Sequence, residues 1–476
     1  MKQRQARLLL LLSAVFWAGL ALAGADAAGD LPRGTPVEAV ACAADPGQSY
    51  ALYLPAAYDR ARNWPIIYFF EPGARGPLPI RLFQAAAEKY GYILASSNNS
   101  RNGPWEQNRR ALRAVWEDTR RRFSIDENRV YSAGHSGGAQ VALLFGFFLE
   151  RPWAGVISCC GGLPERMPME SLPGEFDAFI ATGLYDFNYW PSQAMAAALK
   201  ERGLAQRLQV FPGGHAWMPG EAAMDAVSWL ELRAMKRGTQ KRNEAWIASR
   251  FAAGLRRAQE IEKSGSPLEA LDEYLALAAD FSGLHDVGQA QSSAGRLGGA
   301  AEMKKHGEAR KAAGKEEMRR FARAAGTLAA LINAGSARER RDRLNALGIS
   351  GLRRERAEGG AAGLTAERLL RYLNMEAANQ GLQAHGRGEL KKARAMFELA
   401  VLIDPGSGQA WFNLACVLSR LGEKKEALRA LEAAVRNGMR DLDAMEKDPD
   451  LDALRGEAAY LRLLAALKKS LAEKKP

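Results

Sequence analysis

This 476-residue chain has five histidines: His135, His215, His285, His306 and His385. They narrow the search for chemistry, because a serine hydroxyl becomes a nucleophile only when a base can take its proton. Ser136 stands in Gly134-His135-Ser136-Gly137-Gly138, the pattern G-x-S-x-G. The β-prone run RVYSAG leads into it and a helix-like pattern follows. Glycine two residues to either side allows a sharp strand-to-helix turn that lifts the hydroxyl clear in a strained conformation. The amide of Gly137, at the head of that helix, is then placed to stabilise an oxyanion. The bland alternative is a glycine-rich turn with no chemistry.

The base follows by elimination. His285, His306 and His385 lie in a strongly helical C-terminal region, and His135 directly precedes the serine, with its side chain expected to point away. His215 is left, in FPGGHAWMP just past the last strand-like run. Such a base needs a carboxylate to hold its tautomer. Asp186, in ATGLYDFNYW, follows the strand-like run that ends at Gly183 and lies between Ser136 and His215. Asp177 opens that run at the opposite end, and Glu175 and Glu201 lack the strand-end setting. A second oxyanion donor is expected from the loop after an early strand, here FFEPGARG (69–76). Pro72 has no N–H to give, so the amides of Gly73 and Ala74 are the candidates. Trp217, two residues past His215, is the candidate aromatic contact for a substrate. Trp153 and Trp190 are further aromatics of the same region, Trp153 being better explained as core.

These residues need a scaffold, and the first half of the chain supplies one. YALYLP (50–55), WPIIYFFEPG (64–73), YILASS (92–97), RVYSAG (129–134), WAGVISCCGG (153–162), FDAFIATG (176–183) and RLQVFPGG (207–214) read as strands. FQAAAEKYG (83–91) and RRALRAVWEDTRRRF (109–123) read as helices between them. Alternating strands and helices predict an α/β domain with a mostly parallel sheet covered on both faces. In such sheets sites form at the carboxyl ends of strands. That is where Ser136, Asp186 and His215 fall.

Near residue 240 the character changes to Ala, Leu, Glu, Lys and Arg at helical period. GELKKARAMFELAVLIDP (388–405) aligns with GEKKEALRALEAAVRNGM (422–439): Gly388 recurs as Gly422, Ala393 as Ala427 and Ala400 as Ala434, a period of 34. Small alanines let paired helices approach closely. SGSPLEALDEYLALAADF (264–281) resembles the same half-repeat more loosely, residues 285–358 fit no repeat well, and GGAAG (359–363) reads as a break.

Composition excludes several classes. The hydrophobic fraction is 47%, that of a globular chain with ample core. Net charge is +12, yet the cations are interspersed with acids on helical segments, so solvated helix faces account for them and no nucleic-acid partner is expected. Lys2, Arg4 and Arg7 precede the apolar run LLLLLSAVFWAGLALAG (8–24), with A-L-A at 21–23 and A-D-A at 25–27. That is the order of a secretory signal peptide, which predicts export to the periplasm or medium and no membrane span in the mature chain. An N-terminal membrane anchor is the alternative. The cysteines, Cys42, Cys159, Cys160 and Cys416, contain no C-x-x-C, so no metal site is expected. Export would permit Cys42 to pair with Cys159 or Cys160; buried free thiols are the other reading.

With these residues in hand, 48–235 resemble the α/β-hydrolase superfamily. More narrowly they are similar to polyhydroxybutyrate-depolymerase-like and feruloyl-esterase-like secreted esterases. RVYSAGHSGG preceded by FSIDEN, the D-F-N at 186–188 and the terminal G-G-H-x-W carry the resemblance. It implies an α/β-hydrolase sheet, cleavage of carboxylic esters through an acyl-enzyme, and no cofactor. Glu71 stands where many such enzymes carry histidine. Residues 365–440 separately resemble tetratricopeptide repeats, which implies a protein partner. The expected organisation is a signal peptide (1–27), an α/β-hydrolase domain (28–240), a helical region with a degenerate repeat (241–364), and tetratricopeptide-like repeats with C-terminal helices (365–476). Two other readings share the motifs: a non-catalytic hydrolase-like domain in a protein-binding scaffold, and a peptidase of the same fold.

Overall fold

The computed structural model describes residues 31–150, 153–164, 174–299 and 301–472. The expected signal segment lies outside the described residues. The chain forms two compact units, the first ending at Glu308 and the second beginning at Ala309.

The first unit is built on an eight-stranded sheet: β1 (Val37–Ala41), β2 (Ser49–Tyr53), β3 (Trp64–Phe70), β4 (Ile93–Ser97), β5 (Ile125–His135), β6 (Gly155–Cys159), β7 (Asp177–Gly183) and β8 (Gln206–Phe211). Their spatial order is β1-β2-β4-β3-β5-β6-β7-β8. β1 and β2 run antiparallel to their neighbours, and from β4 to β8 every pairing is parallel. Every residue of β3 is buried, because both faces of the sheet are covered. Ile66, Tyr68 and Phe70 enter one core while Ile67 and Phe69 enter the other, the two-residue alternation of a strand. Helices α1 (Pro77–Tyr90) and, later in the chain, Gly220–Arg237 cover the Phe69 face. Helices α2 (Trp105–Arg122) and Tyr189–Glu201 cover the Tyr68 face.

The expected strands are present. β1 is additional, and only Val40 of it is buried, so an edge strand of this kind carries little hydrophobic signal. α1 begins at Pro77, before the expected start at 83, with proline in its first turn, where the missing N–H costs nothing. The helix after Ser136 is divided into α3 (Gly137–Leu143) and α4 (Phe145–Leu149). The later helices of this unit are α5 (Tyr189–Glu201), α6 (Gly220–Arg237), α7 (Glu244–Lys263), α8 (Pro267–Phe281) and α9 (Gly288–Gly298).

The structure decides between the two cysteine readings and shows where the compact units part. All four cysteines are free and buried. Cys42 packs in the Tyr68 core, whereas Cys159 and Cys160 pack in the Phe69 core, so the sheet separates the imagined disulfide partners. The change of composition near residue 240 is also no edge of a compact unit. Arg207 of β8 pairs with Glu273 at 2.5 Å and Asp280 at 3.4 Å, both on α8. Trp229 of α6 donates its Nε1–H to Asp280 Oδ1 at 2.8 Å. The composition shift marks a change of element type only.

Helix α10 (Ala301–Ile332) contains the boundary between the units. The second unit continues with α11 (Ala337–Ala346), α12 (Ile349–Glu358), α13 (Gly360–Gly386), α14 (Leu390–Ile403), α15 (Gly408–Arg420), α16 (Lys424–Arg436), α17 (Leu442–Lys447), a 3₁₀ turn at Pro449–Leu454, and α18 (Ala458–Ala472). α13 packs on α14 and α15 on α16. Gly388 and Gly422 turn the chain into α14 and α16 with φ of 73° and 79°. Ala393, Ala400, Ala427 and Ala434 are all buried between helices. A side chain at Gly381 would meet the Phe397 ring at 2.7 Å, so that helix crossing also depends on a small residue. The stretch that fits no repeat is tied in by a buried ion pair, Arg368 Nε to Glu317 Oε1 at 2.7 Å. No described helix is long and apolar enough to cross a membrane.

Candidate active site

Ser136 sits between β5 and α3 with φ 54° and ψ −124°, a conformation that costs energy for any residue but glycine. Its N–H donates to Cys159 O at 2.9 Å. The flanking glycines are required by close approach. A Cβ on Gly134 would lie 2.0 Å from Gly138 O, and one on Gly138 would lie 2.0 Å from Phe70 O. The strain is therefore carried by the serine, while the glycines let the turn press onto β3.

Asp186 follows β7 and His215 follows β8. A Cβ on Gly183 would lie 2.4 Å from Gly214 O, so glycine lets the two loops meet, and Tyr185 N–H donates to Gly213 O at 2.8 Å. As a result His215 Nδ1 is 2.9 Å from Asp186 Oδ1 and His215 Nε2 is 2.8 Å from Ser136 Oγ. Asp186 is fully buried. Its Oδ1 also accepts Asn188 N–H at 2.9 Å, and its Oδ2 accepts the Thr182 hydroxyl at 3.3 Å. A carboxylate at Nδ1 keeps the imidazole proton there and leaves Nε2 as the acceptor facing the serine. The structure thus brings together the three residues singled out by sequence. Phe187 lies against the imidazole with ring centroids 4.1 Å apart, a packing role that its place next to the carboxylate could have suggested.

His135 also lies against His215, at 4.7 Å. It is buried, and neither ring nitrogen has a hydrogen-bond partner among the described residues. Burial, and next the neighbouring His215, lower its pKa to about 3. Ligating atoms of His135, Cys160 and His215 come within 4.8 Å of one another. Both nitrogens of His215 are already engaged by Asp186 and Ser136, and burial pushes the Cys160 thiol well above its ordinary range. This grouping therefore reads as packing around His215.

Trp217 is not a surface contact for substrate. It packs against Phe69, Phe83 and His135 and is only 8% exposed, so it belongs to the core behind the histidines. Trp153 stacks on Phe176 at 4.7 Å, and Trp190 lies edge-on to Tyr189.

The expected second oxyanion donors are corrected as well. Gly73 N–H donates to Glu71 Oε2 at 2.7 Å, and Ala74 N–H donates to Glu71 O at 3.1 Å. Glu71 Oε2 also accepts Arg75 N–H at 3.0 Å, while its Oε1 meets the Arg75 guanidinium at 2.5 Å. Burial alone would raise the Glu71 pKa, but the Arg75 cation and these two amides outweigh it and hold the carboxyl below its ordinary value. Gly137, at the first position of α3, has the orientation of a helix N-terminal amide. Sequence reasoning passed over Asn102. Its N–H donates to Pro72 O at 2.8 Å, and its Oδ1 lies 2.0 Å from where a Cβ on Gly137 would stand. It follows β4 at the carboxyl edge of the sheet, the same signal that located Asp186.

Comparison with known proteins gives matches of three kinds. A tetratricopeptide-repeat family model matches residues 408–437. The solved structures that resemble the chain include a hyperthermophilic esterase from Pyrobaculum calidifontis, at 13% identity and TM-score 0.34, covering 44% of this chain and 88% of that one. They also include an S-formylglutathione hydrolase from Staphylococcus aureus, at 13% identity and TM-score 0.33, covering 38% and 92%. Among curated proteins, a chloroplastic protein of Arabidopsis thaliana is 33% identical over 88 residues, 18% of this chain. The chain spans about a quarter of the length of that relative, 26%. The first unit has the α/β-hydrolase fold, as its strand order and the turn at Ser136 show. Asp186 follows β7 and His215 follows β8, and the second unit contains the helices that the tetratricopeptide-repeat model matches.

Proposed function

We propose that this chain is an exported serine hydrolase that cleaves carboxylic esters through an acyl-enzyme. The observation that carries the reading is the continuous chain Ser136 Oγ, His215 Nε2, His215 Nδ1, Asp186 Oδ1, with steps of 2.8 and 2.9 Å. Ser136 Oγ attacks the ester carbonyl while His215 Nε2 takes its proton. Asp186 keeps the ring oriented and stabilises the imidazolium. The Gly137 amide donates to the developing oxyanion. His215 then protonates the leaving alcohol, and water attacks the acyl-serine by the same route in reverse. The basic n-region, apolar run and small residues at the N-terminus support export. The paired helices of the second unit support a role in binding a protein partner.

The Glu71 clamp on the Gly73 amide favours a second reading, a hydrolase-like domain that binds without turnover. Hydrolysis of short-chain p-nitrophenyl esters by the wild type and by Ser136→Ala decides between them. Turnover abolished by the substitution supports the esterase; equal, background-level rates support the scaffold.

A further inference from the structure

Glu71 leaves the expected oxyanion hole short of a donor. The Gly73 and Ala74 amides are both given to it. Its carboxylate is buried and anchored by the Arg75 guanidinium and amide. Freeing Gly73 would strip a hydrogen bond from a buried charge, which is unfavourable. A tetrahedral intermediate on Ser136 still gains from a second donor beside the Gly137 amide.

Asn102 is the polar side chain at that place. Its backbone is fixed to the Glu71 loop by the bond from its N–H to Pro72 O at 2.8 Å, part of the bridge pairing Gly73 with Arg101. Its carboxamide fills the space that a side chain at position 137 would occupy, with Oδ1 2.0 Å and Nδ2 3.7 Å from the would-be Cβ. Glycine at 137 is what admits it. The side chain is exposed, so half a turn of the carboxamide exchanges its two ends, and an Asn amide carries two N–H donors.

The geometry points to Asn102 Nδ2 as the second oxyanion donor, acting beside Gly137 N–H in place of Gly73 or Ala74. This inference rests on the esterase reading above. Asn102 makes and breaks no covalent bond. It gives a hydrogen bond that is stronger to the tetrahedral oxyanion than to the ground-state carbonyl, so its effect falls on kcat.

The test uses the full chain with Asn102→Asp, which keeps the shape and removes the donor, and Asn102→Ala. Four quantities are read: kcat and KM on p-nitrophenyl butyrate, the affinity for a trifluoromethyl ketone that forms a hemiketal with the serine, and the melting temperature. The expected result for both variants is a loss of about 10²–10³-fold in kcat. KM changes little, ketone affinity falls in parallel with kcat/KM, and the melting temperature is unchanged. Full activity in Asn102→Asp overturns the inference. So does a kcat loss with ketone affinity intact, which would make Asn102 a positioning residue of the loop. A wild type without turnover dependent on Ser136 overturns the esterase reading itself, and this inference falls with it.

Discussion

Asp186 Oδ1 lies 2.9 Å from His215 Nδ1, with the carboxylate fully buried and its other oxygen held by the Thr182 hydroxyl. The carboxylate therefore has one orientation and selects one imidazole tautomer. Asp186→Asn keeps the shape and, because Asn188 N–H holds an acceptor at the Oδ1 position, keeps its amide oxygen toward Nδ1, so what is lost is the charge that stabilises the imidazolium. The expected outcome is a loss of about 10³–10⁴-fold in kcat with little change in KM. Steady-state kinetics on a soluble ester check it.

The two glycines after Ser136 differ in what they face. A methyl on Gly138 meets the Phe70 carbonyl at 2.0 Å, a backbone atom that cannot step aside. A methyl on Gly137 meets the Asn102 side chain, which can rotate away. Gly138→Ala is thus expected to cost about 3 kcal/mol or more, the upper end for an overpacked core site. Gly137→Ala is expected to keep most stability and to lose activity. Urea denaturation of the two variants distinguishes them.

His135 gives acid sensitivity with a definite sign. Its folded pKa of about 3 lies below the ordinary value of 6.5 because the ring is buried. Between those values the unfolded chain holds a proton that the folded chain does not. Stability is therefore unaffected above pH 6.5 and falls as the pH drops through this window, by up to about 1.4 kcal/mol per pH unit. His135→Phe removes the titrating ring and should flatten that part of the slope. Denaturation midpoints from about pH 7 to 4 read it directly, and identical slopes in both proteins would refute the assignment.

Much of this was legible in the sequence, for reasons particular to certain residues. β3 and β7 are buried along their whole length, so their apolar runs stood out. His215 stood out because it is the one histidine past a strand end in the α/β region, and the structure places it beside Ser136 and Asp186. Other features had no local signature. β1 buries a single residue. Trp217 resembled a site residue by its nearness to His215, yet side-chain direction put it against Phe69 and Phe83. The competition of Glu71 for the Gly73 amide is a matter of hydrogen-bond geometry, which spacing along the chain does not encode. The repeats near residue 400 were visible because Gly388, Ala393 and Ala400 recur at fixed distance. The attachment of α7 and α8 runs through long-range contacts, Arg207 and Trp229 with the acids of α8 and Leu232 and Met235 with Ile247, Tyr274 and Phe281, which no local spacing shows.

Arg207 accordingly supplies a further prediction. It is buried and shared between Glu273 and Asp280. Arg207→Ala leaves Asp280 without its cation and Glu273 with Arg257 alone, and is expected to cost about 3 kcal/mol, the lower end for a broken buried pair. Ending the chain at residue 240 exposes the same surface of β8 and α6, so that fragment should be markedly less stable than one ending after α9. Chemical denaturation of the two fragments and of the variant measures both effects.

The most direct test of the account is covalent labelling of the folded chain with a fluorophosphonate, followed by peptide mass mapping. An activated serine held by His215 and Asp186 predicts a single adduct, on Ser136, that is lost in His215→Ala. No adduct on the folded wild type, or an adduct that survives the loss of His215, would contradict it.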